Sequence, residues 1–176
     1  MLKFQPEFEK LPKDDSAVME EKLLLYALVR ATKPMVCVET GTHKGLSALY
    51  IAHALEDNGR GILYTCDPYN YGQQENISKF PELADRTRVC IMKGTELPIP
   101  GKIDFFFCDG FHGKKDVEEE IDYFFPHLSE NALVVFHDCE RTEWNDTEGV
   151  NGAIIARGLK TTFIDSQNKM QIYAKN

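Results

Sequence analysis

The stretch that decides the fold of this 176-residue chain is Val36-Cys-Val-Glu-Thr-Gly-Thr-His-Lys-Gly-Leu-Ser47. The apolar and β-branched run from Met35 to Glu39 predicts a buried parallel strand. Gly41 permits a tight turn directly after the strand, and Gly45 lets a ligand or a neighbouring backbone approach closely. An apolar helix, predicted over Leu46–Leu55, follows at once. This order of strand, glycine turn and helix is typical of a parallel α/β fold.

Strand-like and helix-like patterns alternate along the rest of the chain. The predicted strands cover residues 35–39, 62–66, 88–92, 103–108, 132–136, 161–164 and 169–173, and the predicted helices 14–30, 46–55, 78–85, 116–125 and 150–157. The alternation predicts a Rossmann-like, doubly wound and mostly parallel seven-stranded sheet, ending in a C-terminal antiparallel hairpin. We expect residues 1–13 to form an irregular arm and residues 14–176 a single domain.

Composition narrows the class of protein. Hydrophobic residues make up 43% and charged residues 27%, and no stretch predicts a membrane span or a signal peptide, so we expect a cytoplasmic globular protein without a membrane partner. The net charge of −8, with scattered lysines and arginines, argues against nucleic acid and favours a small-molecule substrate. Five cysteines without a CxxC pair indicate free thiols in a reducing compartment.

Four short segments, which we call corners, directly follow predicted strands and carry acids or glycines. They begin at Glu39, Asp67, Asp109 and Asp138. Because the carboxyl ends of parallel strands share one edge of a sheet, these corners are expected to converge on one crevice. Convergence of this kind predicts an enzyme site.

The first two corners indicate what the crevice would bind. A dinucleotide fingerprint needs glycines at positions 41, 43 and 46, but His43 and Leu46 occupy two of them, which opposes a nicotinamide-dependent dehydrogenase. Glu39 would repel phosphate and favour a cationic or amine-bearing ligand. Asp67 can accept hydrogen bonds from both hydroxyls of a ribose. The alternatives are a structural strand–helix turn and a solvent-facing acid that starts an Asp-Pro turn.

The segment Glu39-Thr-Gly-Thr-His-Lys-Gly-Leu-Ser-Ala48, followed by Asp67, resembles the cofactor half of class I S-adenosylmethionine-dependent methyltransferases. It is most similar to the catechol O-methyltransferase type and to macrocin O-methyltransferase and cephalosporin hydroxylase-like relatives. The resemblance covers roughly residues 35–140. It implies S-adenosylmethionine as the cofactor and O-methylation of a small-molecule acceptor, with a divalent metal such as Mg²⁺ as a candidate second cofactor.

The resemblance also implies a set of site residues. The implied cofactor-binding residues are Glu39, Gly41, Thr42, Gly45, Ser47, Asp67, Gly94, Thr95 and Asp109. Within this set, Glu39 and the backbone of Gly41 would hold the amino-acid end of the cofactor, with Ser47 nearby. Asp67 would take the ribose. Gly94 and Thr95 would edge the adenine.

A metal and a base are expected at the last two corners. Asp109 and Asp138, on neighbouring strand ends, can share a hard cation such as Mg²⁺, which would lower the pKa of a bound hydroxyl. Alternatively, they serve catalysis directly by accepting a hydrogen bond from the substrate hydroxyl. His112, three residues after Asp109, is the candidate catalytic base, because imidazole ordinarily titrates near neutrality. The resembling family places Asn after the second acid, whereas this chain has Cys139, which leaves the metal open.

Other interpretations stay open at this stage. An N-methyltransferase would have the same cofactor-binding half but would not need a metal. A non-catalytic nucleoside-binding module would use Glu39 and Asp67 for binding and would have no catalytic base. His112 could be a solvated loop residue and His137 a packing residue. The short N-terminal arm has few residues with which to cover the acceptor site. We therefore expect this site either to be open or to be closed by a partner in a homo-oligomer.

An acidic run and a later polar segment have predicted positions on the surface. The acidic run Glu118–Glu120 is expected to be a solvated helix face. Residues Arg141–Gly149, which contain Trp144, are expected to form a mobile loop over the substrate.

Overall fold

The computed structural model describes residues 18–99, 101–139 and 148–175. The helices are α1 (Met19–Thr32), α2 (Leu46–Asn58), α3 (Gln73–Ser78), α4 (Lys114–Phe124) and α5 (Gly149–Ala156). The strands are β1 (Val36–Thr40), β2 (Ile62–Asp67), β3 (Thr87–Ile91), β4 (Ile103–Cys108), β5 (Leu128–Phe136), β6 (Thr162–Ile164) and β7 (Met170–Ala174).

All seven strands belong to one sheet, in the order β3-β2-β1-β4-β5-β7-β6. Strands β1 to β5 are parallel, and β7 runs antiparallel to both β5 and β6. The predicted fold class and the C-terminal antiparallel hairpin are therefore confirmed. The chain reverses its direction of winding between β1 and β4, and this boundary is where α/β sheets of this kind bind ligands.

The sheet is buried on both faces because its central strands are apolar on both sides. In β4, the side chains of Phe105 and Phe107 pack toward α1 and α2, whereas Phe106 packs toward α4 and α5. This alternation follows from the two-residue period of a strand. Within the described residues, no helix combines the length and the apolar character that crossing a bilayer demands.

Local structure departs most from the sequence predictions in two places. The helix predicted over residues 78–85 is wrong: α3 ends at Ser78, and only a 3-10 turn over Pro81–Leu83 follows. Pro81 explains this break, because proline disfavours helical backbone in the residue before it. Strand β5 begins at Leu128, four residues earlier than predicted. The predicted N-terminal arm and the first four residues of the helix predicted over residues 14–30 lie outside the described residues.

Candidate active site

The loops after β1 to β5 meet at the carboxyl edge of the sheet and enclose a cavity of about 350 Å³. Seven residues predicted for the site line this cavity: Gly41, Asp67, Gly94, Thr95, Asp109, His112 and Asp138. The expected convergence of the corners is therefore present in the tertiary structure.

Gly41 forms the tight junction between the loops after β1 and β4. Its φ of 84° lies in the left-handed region, and a Cβ added there would lie 1.8 Å from the carbonyl oxygen of Asp109. Its N–H donates to the carbonyl oxygen of Cys66 at 2.9 Å, which joins the loop to the end of β2. Only glycine satisfies both the backbone conformation and the close approach.

Four predicted residues, Glu39, Thr42, Gly45 and Ser47, lie behind the cavity wall rather than in it. Thr65 Oγ1 donates to Glu39 Oε2 at 2.5 Å, and Thr42 Oγ1 lies 2.5 Å from Thr65 Oγ1. Burial raises the pKa of Glu39 to about 8, although hydrogen bonding with Ser47 and Thr65 opposes this rise. These residues support the loop from below, and their contact with a cofactor stays a prediction.

Asp67 is held at the end of β2 by two backbone N–H groups. Its Oδ2 accepts from the N–H of His43 and its Oδ1 from the N–H of Tyr69, both at 2.9 Å. Each oxygen keeps further acceptor capacity on the cavity side. His43, which the sequence analysis did not include among the site residues, lines the cavity and contacts the ring of Tyr71 edge-on, with ring centroids 4.7 Å apart. The aromatic pair shortly after Asp67 is the signal that could have indicated this.

Two acids and two histidines form a compact cluster on the opposite side of the cavity. His137 Nδ1 lies 2.8 Å from Asp109 Oδ1 and 3.5 Å from Asp138 Oδ2. His112 Nε2 lies 3.4 Å from the same Asp109 oxygen and 3.3 Å from the same Asp138 oxygen. The side chain of His112 is 22% exposed, so it reaches both the acids and the open cavity.

The buried end of this cluster is anchored by Glu21 of α1. Glu21 Oε2 faces His137 Nε2 at 3.1 Å, and its Oε1 accepts from the backbone N–H of Asn168 at 2.9 Å. Burial alone would raise the pKa of Glu21, but these contacts lower it to about 2. Sequence reasoning missed Glu21, since 116 positions separate it from His137.

The charges in the cluster shift one another. Burial by itself lowers the pKa of His137, yet Asp109, Asp138 and Glu21 together raise it far above its ordinary value. Burial likewise raises the pKa of Asp109, but the imidazoles of His137 and His112 bring it below its ordinary value. A protonated His137 therefore balances the surrounding carboxylates.

The same cluster offers ligands for a cation. One oxygen each from Asp109 and Asp138, with Nδ1 of His137, all lie within 4.8 Å of one another. The contact between His137 Nε2 and Glu21 matches the carboxylate–histidine pairing that orients metal-binding imidazoles. Cys139 stands where the resembling family has Asn, and its Sγ lies 3.5 Å from the carbonyl oxygen of Phe136. His137 Nδ1 is therefore the candidate third ligand.

One acid on α4 corrects an expectation from the sequence. Glu120, predicted to lie on a solvated face, is only 8% exposed and lines the cavity. Burial raises the pKa of Glu120 to about 7, against hydrogen bonds from Thr40 and Cys108. The signal that could have indicated this is helical spacing, because Glu120 lies three residues after Val117 and four before Phe124, on the apolar face of α4.

The outer part of the cavity is aromatic. Tyr69, Tyr71 and Phe111 line it and are about half exposed. Half-exposed aromatic side chains at a cavity are typical of sites for small organic ligands. The substrate loop predicted around Trp144 lies almost entirely outside the described residues.

Comparison with known proteins agrees with this arrangement. A family model described as "Methyltransferase domain" matches residues 38–139, which is more than half of the chain and contains all of the corners. None of the curated proteins matches the sequence significantly.

Solved structures share the fold at low sequence identity. An O-methyltransferase from Bacillus cereus in complex with S-adenosylhomocysteine is 17% identical, with a TM-score of 0.73 over 95% of this chain and 86% of that one. The O-methyltransferase TomG from Streptomyces achromogenes in complex with S-adenosylmethionine is 17% identical, with a TM-score of 0.70 over 92% and 82%. A methyltransferase from Geobacter sulfurreducens is 20% identical, with a TM-score of 0.72 over 91% and 81%.

The similar structures establish the fold, and the family model covers the segment that builds the cavity. On this evidence, the chain belongs to the methyltransferase domain family.

Proposed function

We propose that this protein transfers a methyl group from S-adenosylmethionine to a hydroxyl group of a small-molecule acceptor. The observation that carries the proposal is that Asp67 and the cluster of His112, Asp109 and Asp138 line the same cavity. One end thus suits a nucleoside, and the other suits a hydroxyl that must lose a proton. Structures of similar fold that are O-methyltransferases with S-adenosylmethionine or its product bound support the choice.

The cofactor would span the cavity from β2 to β4. Asp67 would accept hydrogen bonds from the two ribose hydroxyls, because its carboxylate is already oriented by backbone N–H groups. Gly94 and Thr95 would border the adenine ring. Asp109 would attract the amino group of the methionine moiety.

The chemistry requires only that an acceptor oxygen be positioned and deprotonated. S-adenosylmethionine, when bound, supplies an electrophilic methyl group for an in-line displacement. His112 would accept the acceptor's proton at a ring nitrogen, with Asp109 and Asp138 stabilising the resulting imidazolium at 3.4 and 3.3 Å. The cavity wall would hold the acceptor oxygen in line, and such orientation supplies a large part of the rate.

A divalent cation fits the residues of this site. Asp109, Asp138 and His137 would hold it, and it would supply a positive charge that favours the ionised form of an acceptor hydroxyl. The imidazole in this donor set favours a first-row transition-metal ion, for which Mn²⁺ is a suitable probe, over Mg²⁺, which takes oxygen ligands. Because the neighbouring carboxylates hold the pKa of His137 far above its ordinary value, binding of a cation at Nδ1 would release a proton from the ring.

We also propose a cytoplasmic location and a small rather than polymeric acceptor. All five cysteines are free, as expected in a reducing compartment. The net charge of −8 disfavours a polyanionic acceptor.

The first test of the proposal is cofactor binding. Calorimetry is expected to detect S-adenosylhomocysteine binding to the wild type, and Asp67→Ala is expected to weaken it by about 100-fold, since two charge-assisted hydrogen bonds are lost. Asp85→Ala, at an exposed acid outside the cavity, is the matched control and should bind normally. If the wild type does not bind S-adenosylhomocysteine, the cofactor assignment is wrong. A screen of hydroxyl-bearing acceptors with methyl-labelled S-adenosylmethionine would then identify the substrate class.

The second test concerns the base. His112→Ala is expected to lower kcat by about 10²- to 10⁴-fold, the usual contribution of a general base, while S-adenosylhomocysteine affinity changes little. His127→Ala removes a histidine on the short 3-10 turn after α4 and serves as the control. Equal losses of turnover and cofactor affinity in His112→Ala would show a structural role instead.

The third test concerns the metal. Adding Mn²⁺ to chelator-treated protein is expected to raise Tm, and titrations in buffers of different ionisation enthalpy should reveal proton release from His137. Asp138→Asn should remove both effects, and it is a mild change because Asp138 has a φ of 53°, a conformation that asparagine tolerates. Chelator-insensitive activity together with an unchanged Tm would eliminate the metal.

A further inference from the structure

Glu120 is a buried acid in the cavity for which the reaction described above has no use. It lies on α4 beside Val117 and Ile121, which pack into the apolar core. Its neighbours Glu118 and Glu119 are more exposed. Because burying a carboxylate is costly unless its oxygens are hydrogen-bonded, its inward position calls for partners.

The two oxygens of Glu120 have different surroundings. Oε2 accepts from Thr40 Oγ1 at 2.8 Å and from Cys108 Sγ at 3.2 Å, at the ends of β1 and β4. Oε1 makes no hydrogen bond with any described residue. The side chain is therefore held in place through one oxygen, and the other remains available to a ligand.

Two glycines flank the available oxygen. A Cβ added to Gly94 would lie 2.9 Å from Oε1, and one added to Gly110 would lie 2.7 Å from it. Both glycines line the cavity, in the loops after β3 and β4. Any larger residue at either position would crowd this oxygen, so the two glycines keep the space beside it, called the slot below, open to the cavity.

The slot lies where the adenine of the cofactor is placed under the proposed function. Gly94 belongs to the loop that would border the ring, and Asp67, which would hold the ribose, lies on β2 of the same edge. We propose that Glu120 is the adenine-recognition residue of this site, with Oε1 accepting a hydrogen bond from the exocyclic amine of the ring. This inference rests on the proposed function and identifies how the site distinguishes adenine from other bases.

The geometry favours a flat heterocycle over an aliphatic amine. A planar ring can lie flat against backbone that carries no side chains, whereas an ammonium group does not need this space. An amine cation would also be drawn to Asp109 and Asp138, which are part of a separate acidic cluster. A carboxylate oxygen facing a slot is suited to a neutral N–H donor, and the adenine amine is one.

The experiment compares S-adenosylhomocysteine with S-inosylhomocysteine, in which an oxygen replaces the exocyclic amine. The wild type is expected to prefer the adenine ligand by about 10- to 100-fold in Kd, as for other hydrogen bonds to a charged group. Glu120→Ala should remove this preference. Glu120→Gln should narrow it while retaining affinity for the adenine ligand within a few-fold, since an amide offers both an acceptor and a donor.

Controls separate this inference from its alternatives. Glu118→Ala alters the same helix outside the cavity and should preserve the wild-type preference. If Glu120→Ala weakens both ligands equally, or keeps the preference, the adenine assignment is overturned and Glu120 has a supporting role. If the wild type binds neither ligand, the proposed function itself fails, which is a separate outcome.

Discussion

Gly41→Ala is expected to destabilise the folded protein by about 4 kcal/mol or more and to abolish S-adenosylhomocysteine binding. The φ of 84° alone would cost alanine roughly 1–2 kcal/mol. The larger part comes from the clash with the carbonyl oxygen of Asp109, 1.8 Å from the added Cβ, which forces the loops after β1 and β4 apart. Urea unfolding followed by circular dichroism would measure the loss.

The matched control is Gly59→Ala. Gly59 has a φ of 67° at the end of α2, but nothing lies within 4 Å of its added Cβ. The Gly59→Ala variant should therefore lose only the part of the unfolding free energy that comes from backbone conformation, about 1–2 kcal/mol, and should keep its cofactor affinity. Similar stability losses in the two variants would contradict the close junction at Gly41.

The free energy of unfolding is expected to fall as pH rises from about 4.5 to about 8, and Glu39→Gln is expected to flatten much of this fall. Burial raises the pKa of Glu39 from 4.5 in the unfolded chain to about 8 in the folded protein. Between these values the folded state holds a proton that the unfolded state has lost, so stability decreases with rising pH. The contribution is complete below pH 4.5 and gone above pH 8, and it amounts to on the order of 4 kcal/mol.

The measurement is urea unfolding of both proteins at several values between pH 4.5 and 8.5. Glutamine keeps an acceptor for Thr65 but has no proton to lose. Glu20→Gln, at an exposed acid on α1, should leave the pH profile of the wild type unchanged. A profile as steep in Glu39→Gln as in the wild type would show that other groups cause the fall.

Much of the fold could be predicted from local pattern. The strands were placed within a few residues because parallel strands buried on both faces are short continuous apolar runs, as in Ile103–Cys108. The hairpin after the last helix was predicted from a turn between two short strand patterns. The helix predicted over residues 78–85 failed because Pro81 outweighed a weak helical pattern.

The candidate site was predictable only in part. An acid that directly follows a predicted strand can be recognised in the sequence, because the ends of parallel strands share one edge of the sheet. The sequence therefore predicts Asp67 and Asp109 as cavity residues. Glu120 was not predicted as one, because the acidic run was assigned as a whole to a solvated face, although position 120 shares the apolar face of α4 with Val117 and Phe124. Glu21 gave no signal at all, since nothing local to α1 indicates a contact with His137.

By itself, the sequence determined the order of strands and helices, the glycine turn after β1, and the edge of the sheet where acids collect. These features depend on backbone conformation and on hydrophobic period, which act over a few neighbouring residues. Only the tertiary structure decided that Glu39 lies beneath the cavity, that His137 joins Asp109 and Asp138, and that Glu120 offers one oxygen between two glycines. Those contacts join segments that are distant in the sequence. The burial of these side chains and their electrostatic interactions therefore arise only after the sheet has assembled.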